Sequence, residues 1–285
     1  MLDINLIREK TDEVKTALLK RLKSVDLETI LKLDDERKNL ITKVDEMKAS
    51  RNKGSKGRPT PEEIEKMKTL GDEIKKLDEE LKTVETNLKE KISELPNIPA
   101  DDVPAGGKEA NQVVKTFGKK PKFEFEPKDH VELATSLGLI DYERAAKMSG
   151  NGFWIYKGDG ALLEWALLNY FIEFHRNNGY TFIIPPYLLN EDSAYVSGHL
   201  PKFRDDLYWT QDGNCLNATS EMMLGNYHRN EILDSETLPI KYYAYSTCFR
   251  REAGSYRKEE RGMIRGHQFN KIEMFNFTTE DKSWE

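Results

Sequence analysis

FRREAGSYRKEERGMIRGHQF, residues 249–269, is the stretch on which the reading of this chain turns. Arg250 and Arg265 stand on either side of a charged loop, and Glu252 follows the first arginine by two places. Apolar alternation at Lys241–Phe249 and Lys271–Thr278 predicts strands on both sides. The segment is therefore expected to form a strand–loop–strand hairpin with a guanidinium at each inner end. A guanidinium offers paired, planar donors that match phosphate oxygens, and Phe269 offers a ring face on which a base can stack. Together these residues suit a nucleoside triphosphate. Taken singly, a pair such as Arg250 and Glu252 reads equally as a surface ion pair. No Walker A or Rossmann glycine pattern occurs, so side chains must hold the phosphates. Arg251, Lys258 and Arg261 are further cations beside or within the loop.

Upstream, a globular domain is expected to begin near Lys122. Alternation in Phe123–Pro127 (FEFEP) predicts a strand, and Ala161–Asn177 reads as an amphipathic helix ending before Asn178-Gly179. Thr181–Ile184 is a short strand closed by Pro185-Pro186, and Leu207–Thr210 and Cys215–Ala218 are further strand candidates. Hairpin-linked strands with interspersed helices indicate an α+β fold with an antiparallel sheet.

The first third of the chain has a different character. Ile30, Leu33, Arg37, Leu40, Val44, Met47 and Arg51 follow a three–four spacing, and Ile74, Leu77, Leu81, Val84 and Leu88 repeat it. That spacing forms the narrow apolar seam of a coiled coil. Between the runs, residues 52–60 hold Gly54, Gly57 and Pro59. Thr60-Pro61-Glu62-Glu63 then reads as a helix start with a capping box. The prediction is a long antiparallel helical hairpin with its tip near 52–60, preceded by a shorter helix from Leu2 to about Leu22. Lys48, Arg51, Lys53, Lys56 and Arg58 form a run of cations with no acid, on an arm whose charges otherwise alternate. Such a patch suits contact with RNA phosphates. Pro96 and Pro99 end the arm. The expected organisation is an arm over 1–95, a Pro- and Gly-rich linker over 96–121 and a globular domain over 122–285.

Composition sets limits. The net charge is −6, which does not favour a DNA-binding role, and charged residues make up 33% of the chain. Cys215 and Cys248 lack zinc spacing and do not make a disulfide scaffold. The N-terminus has no signal-peptide core, and no apolar run is long enough to span a membrane. These features are those expected of a cytoplasmic protein without a membrane partner.

Beyond these readings, the whole chain resembles the seryl-tRNA synthetases, a family of class II aminoacyl-tRNA synthetases. Residues 249–269 resemble the family's motif 2. LLEWALLNYFIEFHRNNGYTFIIPPYLL resembles motif 1, with Pro186 as the motif proline, and motif 1 implies a homodimer interface. SGHLPKF (Ser197–Phe203) and STCFR (Ser246–Arg250) are also similar to family segments. The resemblance implies activation of L-serine by ATP, with Mg2+, and transfer of the seryl group to serine tRNA. It assigns ATP contacts to Arg250, Arg251, Glu252, Arg265, Gly266 and Phe269, with Arg250 also bridging to the serine carboxylate as the catalytic residue. It assigns serine binding to Thr219, Ser220, Glu221, Arg250 and Glu273, and tRNA binding to Lys48, Arg51, Lys53, Lys56 and Arg58 on the arm.

The sequence also departs from the family pattern. Gly152-Phe153 stands where Arg-Phe is usual. Nothing matches the glycine-rich third motif or the acidic segment associated with magnesium, and no metal ligand is assigned. The expectation is a catalytic sheet incomplete at its C-terminal end, a pocket open on one side and a partly exposed core. Activity of the isolated chain is expected to be impaired. The alternative is a non-catalytic, synthetase-derived tRNA-binding protein.

Overall fold

The computed structural model describes residues 2–54, 60–253 and 262–284, with backbone only at 53, 54 and 63. The chain divides into two compact units, 1–119 and 120–285.

The first unit is helical. Helix α1 (Ile4–Glu9) is capped by Asp3, whose carboxylate accepts from the Asn5 N–H. Helix α2 (Thr11–Leu19) follows after a break at Lys10. The single helix expected from Leu2 to Leu22 is thus two. The Thr11 hydroxyl donates to the Ile7 carbonyl at 2.8 Å, a local bond that competes with helix continuation. Helices α3 (Leu27–Gly54) and α4 (Pro61–Ser93) form the expected hairpin. Ile30, Leu40 and Val44 are buried along one seam, and Ile74, Val84 and Leu88 along the other, while Arg51 is exposed. Ile7, Val14 and Leu18 close the base of the arm against Leu27, Ile30, Leu88 and Ile92. Helix α4 starts at Pro61 as its sequence dictates; the Glu63 side chain of the expected capping box lies outside the described residues.

A charge inside this unit was not anticipated. The Asp34 side chain is fully buried and takes ion pairs from Arg8 (2.6 Å), Arg37 (2.8 Å) and Lys38 (3.0 Å). Burial alone would raise its pKa, but hydrogen bonds from Arg37, Arg8 and Lys38 outweigh that and hold it at about 2.

The second unit mixes helices and strands. Helix α5 (His130–Ser136) has a complete capping box from Asp129 and Glu132. Strand β1 (Ile140–Asp141), helix α6 (Tyr142–Ser149) and strand β2 (Ile155–Tyr156) lead to the long helix α7 (Asp159–Asn177). Next come β3 (Thr181–Ile183), β4 (Leu188–Leu189), α8 (Glu191–Val196), β5 (Cys215–Leu216) and α9 (Glu221–Leu224). Two ten-residue strands complete the unit, β6 (Ile240–Phe249) and β7 (Gln268–Phe277). The central sheet has the order β3–β6–β7; β6 and β7 are antiparallel, and β3 joins β6 in parallel.

Two expected strands are absent. Phe123–Pro127 pairs with nothing in strand fashion; its side chains are exposed, and the Phe123 and Phe125 rings pack on each other at 5.2 Å. Alternation without a neighbouring edge does not make a strand. Leu207–Thr210 contributes only an isolated bridge, Trp209 to Cys215, because the turn at Thr210–Asn214 ends the pairing. Cys215–Ala218 shortens to Cys215–Leu216, because its partner strand offers only Leu188 and Leu189.

Helix α7 carries large exposed apolar side chains, among them Leu162, Leu163, Trp165, Tyr170 and Phe174. Phe182, Ile184 and Met274 are exposed on or beside the sheet.

Candidate functional site

The β6–β7 register builds the site. Cys248 faces Phe269, Ser246 faces Lys271, and Ala244 faces Glu273. Side chains alternate along a strand, so Phe269, Lys271 and Glu273 share one face, with Ser246 and Cys248 on the same side. That face is covered by residues 217–224, of which Asn217, Ala218, Thr219 and Ser220 are buried. The hairpin pairing continues one step past the strand ends, where the Arg250 N–H donates to the His267 carbonyl at 2.9 Å.

Arg250 is held on two sides. Its Nε donates to the Ala218 carbonyl at 3.2 Å, and its guanidinium carbon lies 5.2 Å from the centre of the Phe269 ring. Glu252 adopts a left-handed backbone, φ 52°, and accepts from Arg265 Nη1 at 2.7 Å. Asp206 pins the start of the loop: its carbonyl accepts from the Arg251 N–H at 2.8 Å and its Oδ1 from the Ala253 N–H at 2.7 Å. The Arg251 side chain is exposed.

Gly266 is buried against Trp154. A Cβ at this position would lie 2.0 Å from Trp154 Cζ3, so only glycine fits. Gly152 accepts from the His267 N–H at 2.9 Å, and at φ 83° it has the conformation that glycine tolerates best. A Cβ there would meet the His267 ring at 2.6 Å.

A cavity of about 280 Å³ is lined by Trp154, Arg250, Glu252, Met263, Ile264, Arg265, Gly266 and Phe269. It brings together four residue types expected for nucleotide binding: two arginines, a carboxylate, an aromatic and a close-packed glycine. A second cavity of about 250 Å³ shares Arg250, Glu252 and Arg265 and adds His199, Phe203, Asp206, Leu207 and Ala218.

Beside Arg250 lies a polar cluster. Thr219 Oγ1 donates to Glu273 at 2.6 Å and accepts from Lys271 Nζ at 2.8 Å, and Lys271 also contacts Glu273 directly. Ser220 is fully buried, its hydroxyl 2.7 Å from Ser246 Oγ, while Glu221 is exposed at the start of α9.

Sequence reading missed Trp154, Asp206, His199 and Lys271. Lys271 was accessible by period-two counting from Phe269 and Glu273. Asp206, Trp154 and His199 reach the site only through tertiary packing. On the arm, Lys48 is engaged with Asp78 at 3.0 Å across the hairpin, and Arg51 is exposed. The Lys53 side chain, Lys56, Arg58, Lys258 and Arg261 lie outside the described residues. Among the described residues, no three His, Cys, Asp or Glu side chains converge as metal ligands.

Known proteins match this geometry. The Seryl-tRNA synthetase N-terminal domain matches residues 1–99, and the tRNA synthetase class II core domain (G, H, P, S and T) matches residues 208–285. Serine–tRNA ligase 2 of Clostridium acetobutylicum is 49% identical over 298 residues, covering 99% of this chain and 70% of its own length. The serine–tRNA ligase of Petrotoga mobilis is 45% identical, again over 99% and 70%. Among solved structures, Pyrococcus horikoshii seryl-tRNA synthetase complexed with ATP superposes with a TM-score of 0.88 at 32% identity, covering all of this chain and 71% of that one. Naegleria fowleri cytoplasmic serine–tRNA ligase in complex with AMP gives 0.81 at 29%, covering 100% and 69%. Likeness that runs through both units, in order and at this identity, makes the chain a member of the seryl-tRNA synthetase family of class II aminoacyl-tRNA synthetases.

Proposed function

We propose that the protein activates L-serine with ATP and passes the seryl group to the 3′ end of serine tRNA, in the cytoplasm. The observation that carries this reading is the placement of Arg250, fixed by the Ala218 carbonyl and Phe269 between the nucleotide-sized cavity and the Thr219–Lys271–Glu273 cluster. One guanidinium there reaches two anions, the α-phosphate and the serine carboxylate. The carboxylate is ionised at neutral pH and needs no base. It attacks the α-phosphorus, pyrophosphate leaves, and seryl-adenylate forms. Positioning and charge neutralisation are the chemical demands, and arginines meet them.

In this reading Phe269 stacks on the adenine, Glu252 accepts from its amino group, Gly266 presents backbone to the nucleotide, and Arg265 holds the terminal phosphate. Arg251 serves from the exposed side of the loop. Thr219, Glu221 and Glu273 hold the serine ammonium and hydroxyl, with Ser220 locking the segment from beneath. A pocket that pairs with a hydroxyl rejects analogues lacking one. Mg2+ would arrive on the phosphates, since the described residues offer no cage of their own. Residues 1–95 act as the tRNA-binding arm through Lys48, Arg51, Lys53, Lys56 and Arg58, residues 96–121 as a linker, and 122–285 as the catalytic part. The exposed apolar face of α7 pairs two copies as a homodimer.

The test is calorimetric titration of ATP with and without serine, on the wild type and Arg250→Ala. The expected result is ATP binding that tightens with serine and weakens at least tenfold in the variant. Equal ATP affinity in the two proteins would overturn the assignment.

A further inference from the structure

Residues 262–267 bring the chain into β7, and Arg265 lies within them. Their far end is fixed by contacts already described: Gly266 packs on Trp154, and the His267 N–H donates to the Gly152 carbonyl. Their near end is fixed by a residue from a distant part of the sequence. The Met263 N–H donates to His130 Nε2 at 3.2 Å. Gly262, at φ 74°, lies so close to the first turn of α5 that a Cβ on it would overlap His130 Nε2 and the Val131 side chain.

His130 suits this task. An imidazole nitrogen that accepts a hydrogen bond carries no proton, so in the accepting ring the proton is on Nδ1. His130 is the first residue of α5, and the reciprocal bonds of Asp129 and Glu132 hold that helix end in place. Met263 and Ile264 line the nucleotide cavity together with Arg265, whereas His130 is not part of its wall. The Arg265 guanidinium meets Glu252 at 2.7 Å, but its side chain is 44% exposed, so little packing holds it and the backbone beneath sets its position. A shift of the chain at Met263 is felt two residues on, at Arg265. Phe269 lies beyond the Gly266 anchor, inside β7 and paired with Cys248, and is shielded from it.

We infer that His130 is a positioning residue for the triphosphate: by holding Met263 it sets where Arg265 meets the terminal phosphate, without touching the nucleotide itself. The inference rests on the ligase reading, which gives Arg265 that phosphate and Phe269 the base.

The experiment compares ATP with AMP, which keeps the base and the α-phosphate but lacks the terminal one. Both are titrated calorimetrically into the 285-residue chain and into His130→Leu, His130→Gln and Gly262→Ala. His130→Leu should weaken ATP about fivefold, the scale of one lost hydrogen bond, and leave AMP within about twofold. His130→Gln, whose amide oxygen can accept from Met263, should restore most of the loss. Gly262→Ala disturbs the same contact from the other side and should repeat the ATP-selective loss. Unchanged ATP affinity in His130→Leu, an equal fall for ATP and AMP, or no recovery in His130→Gln would overturn the proposal. Retained AMP binding shows that the cavity is intact, so a misfolded variant cannot mimic the expected result. The wild type tests the ligase reading separately: a wild type that binds neither nucleotide sinks that reading and this role with it, whereas normal wild-type binding with an unchanged ATP-to-AMP ratio in His130→Leu sinks this role alone.

Discussion

Gly266 shows how closely backbone and cavity are matched. A methyl group there meets the Trp154 ring at 2.0 Å, and Trp154 is itself a wall of the nucleotide cavity. Gly266→Ala must therefore displace Trp154 or the β7 entry, at a cost of about 1–3 kcal/mol typical of overpacking. We expect ATP affinity to fall by roughly tenfold, a loss of about 1.4 kcal/mol, while far-ultraviolet circular dichroism stays unchanged. Wild-type affinity would show that the ring moves freely. Arg250, Glu252, Arg265 and Phe269 were legible because their types and spacing carry chemistry on one short segment. Trp154, Asp206 and His199 were not, since each lies far from that segment in sequence and reaches it only by tertiary contact.

At the scale of elements, the arm helices were readable from period alone, because a seam of apolar residues survives any loop geometry. What period could not reveal was Asp34, a polar residue wholly inside the base of the arm. Its folded pKa of about 2 lies below the ordinary 3.8, so its contribution is fully present above pH 4 and lost as pH falls toward 2. The shift corresponds to roughly 2 kcal/mol. Asp34→Asn should lower urea stability by that amount at pH 7, and the two curves should converge near pH 2. Parallel curves across the whole range would remove Asp34 as the cause. The short strand candidates failed for a related reason: alternation at Phe123–Pro127 shows a local pattern but says nothing about whether a neighbouring edge exists. On the same arm, Lys48 already has Asp78 as a partner, whereas Arg51 is exposed. Charge reversal at Lys53, Lys56 and Arg58 together should weaken serine-tRNA binding, and reversal at Arg51 should do so more than reversal at Lys48, with ATP affinity unchanged. Filter binding at two salt concentrations reads both effects, and an unchanged salt slope in the triple variant would exclude the arm from phosphate contact.

For the whole molecule, the exposed apolar face of α7 is a departure from a self-sufficient surface. Leu163→Asp combined with Tyr170→Glu should convert a dimer to a monomer in sedimentation, with helix content retained; a wild type that sediments as a monomer would contradict the dimer reading. This helix also lies against the back of the strands that carry the site. Tyr243 donates to the Ile172 carbonyl at 2.9 Å, Asn270 donates to Glu164 at 3.2 Å, and the Trp165 and Tyr245 rings lie 6.0 Å apart. Asn270 sits between Phe269 and Lys271, so one β-strand separates the helix from the residues that grip the ligands. In the proposed homodimer, an adjustment of α7 on meeting a second copy would thus be felt one residue away from Phe269. If that pairing holds, dilution would become a chemical variable: below the concentration at which copies part, apparent ATP affinity should drift downward, and the protein would report its own abundance through the strength with which it holds the nucleotide.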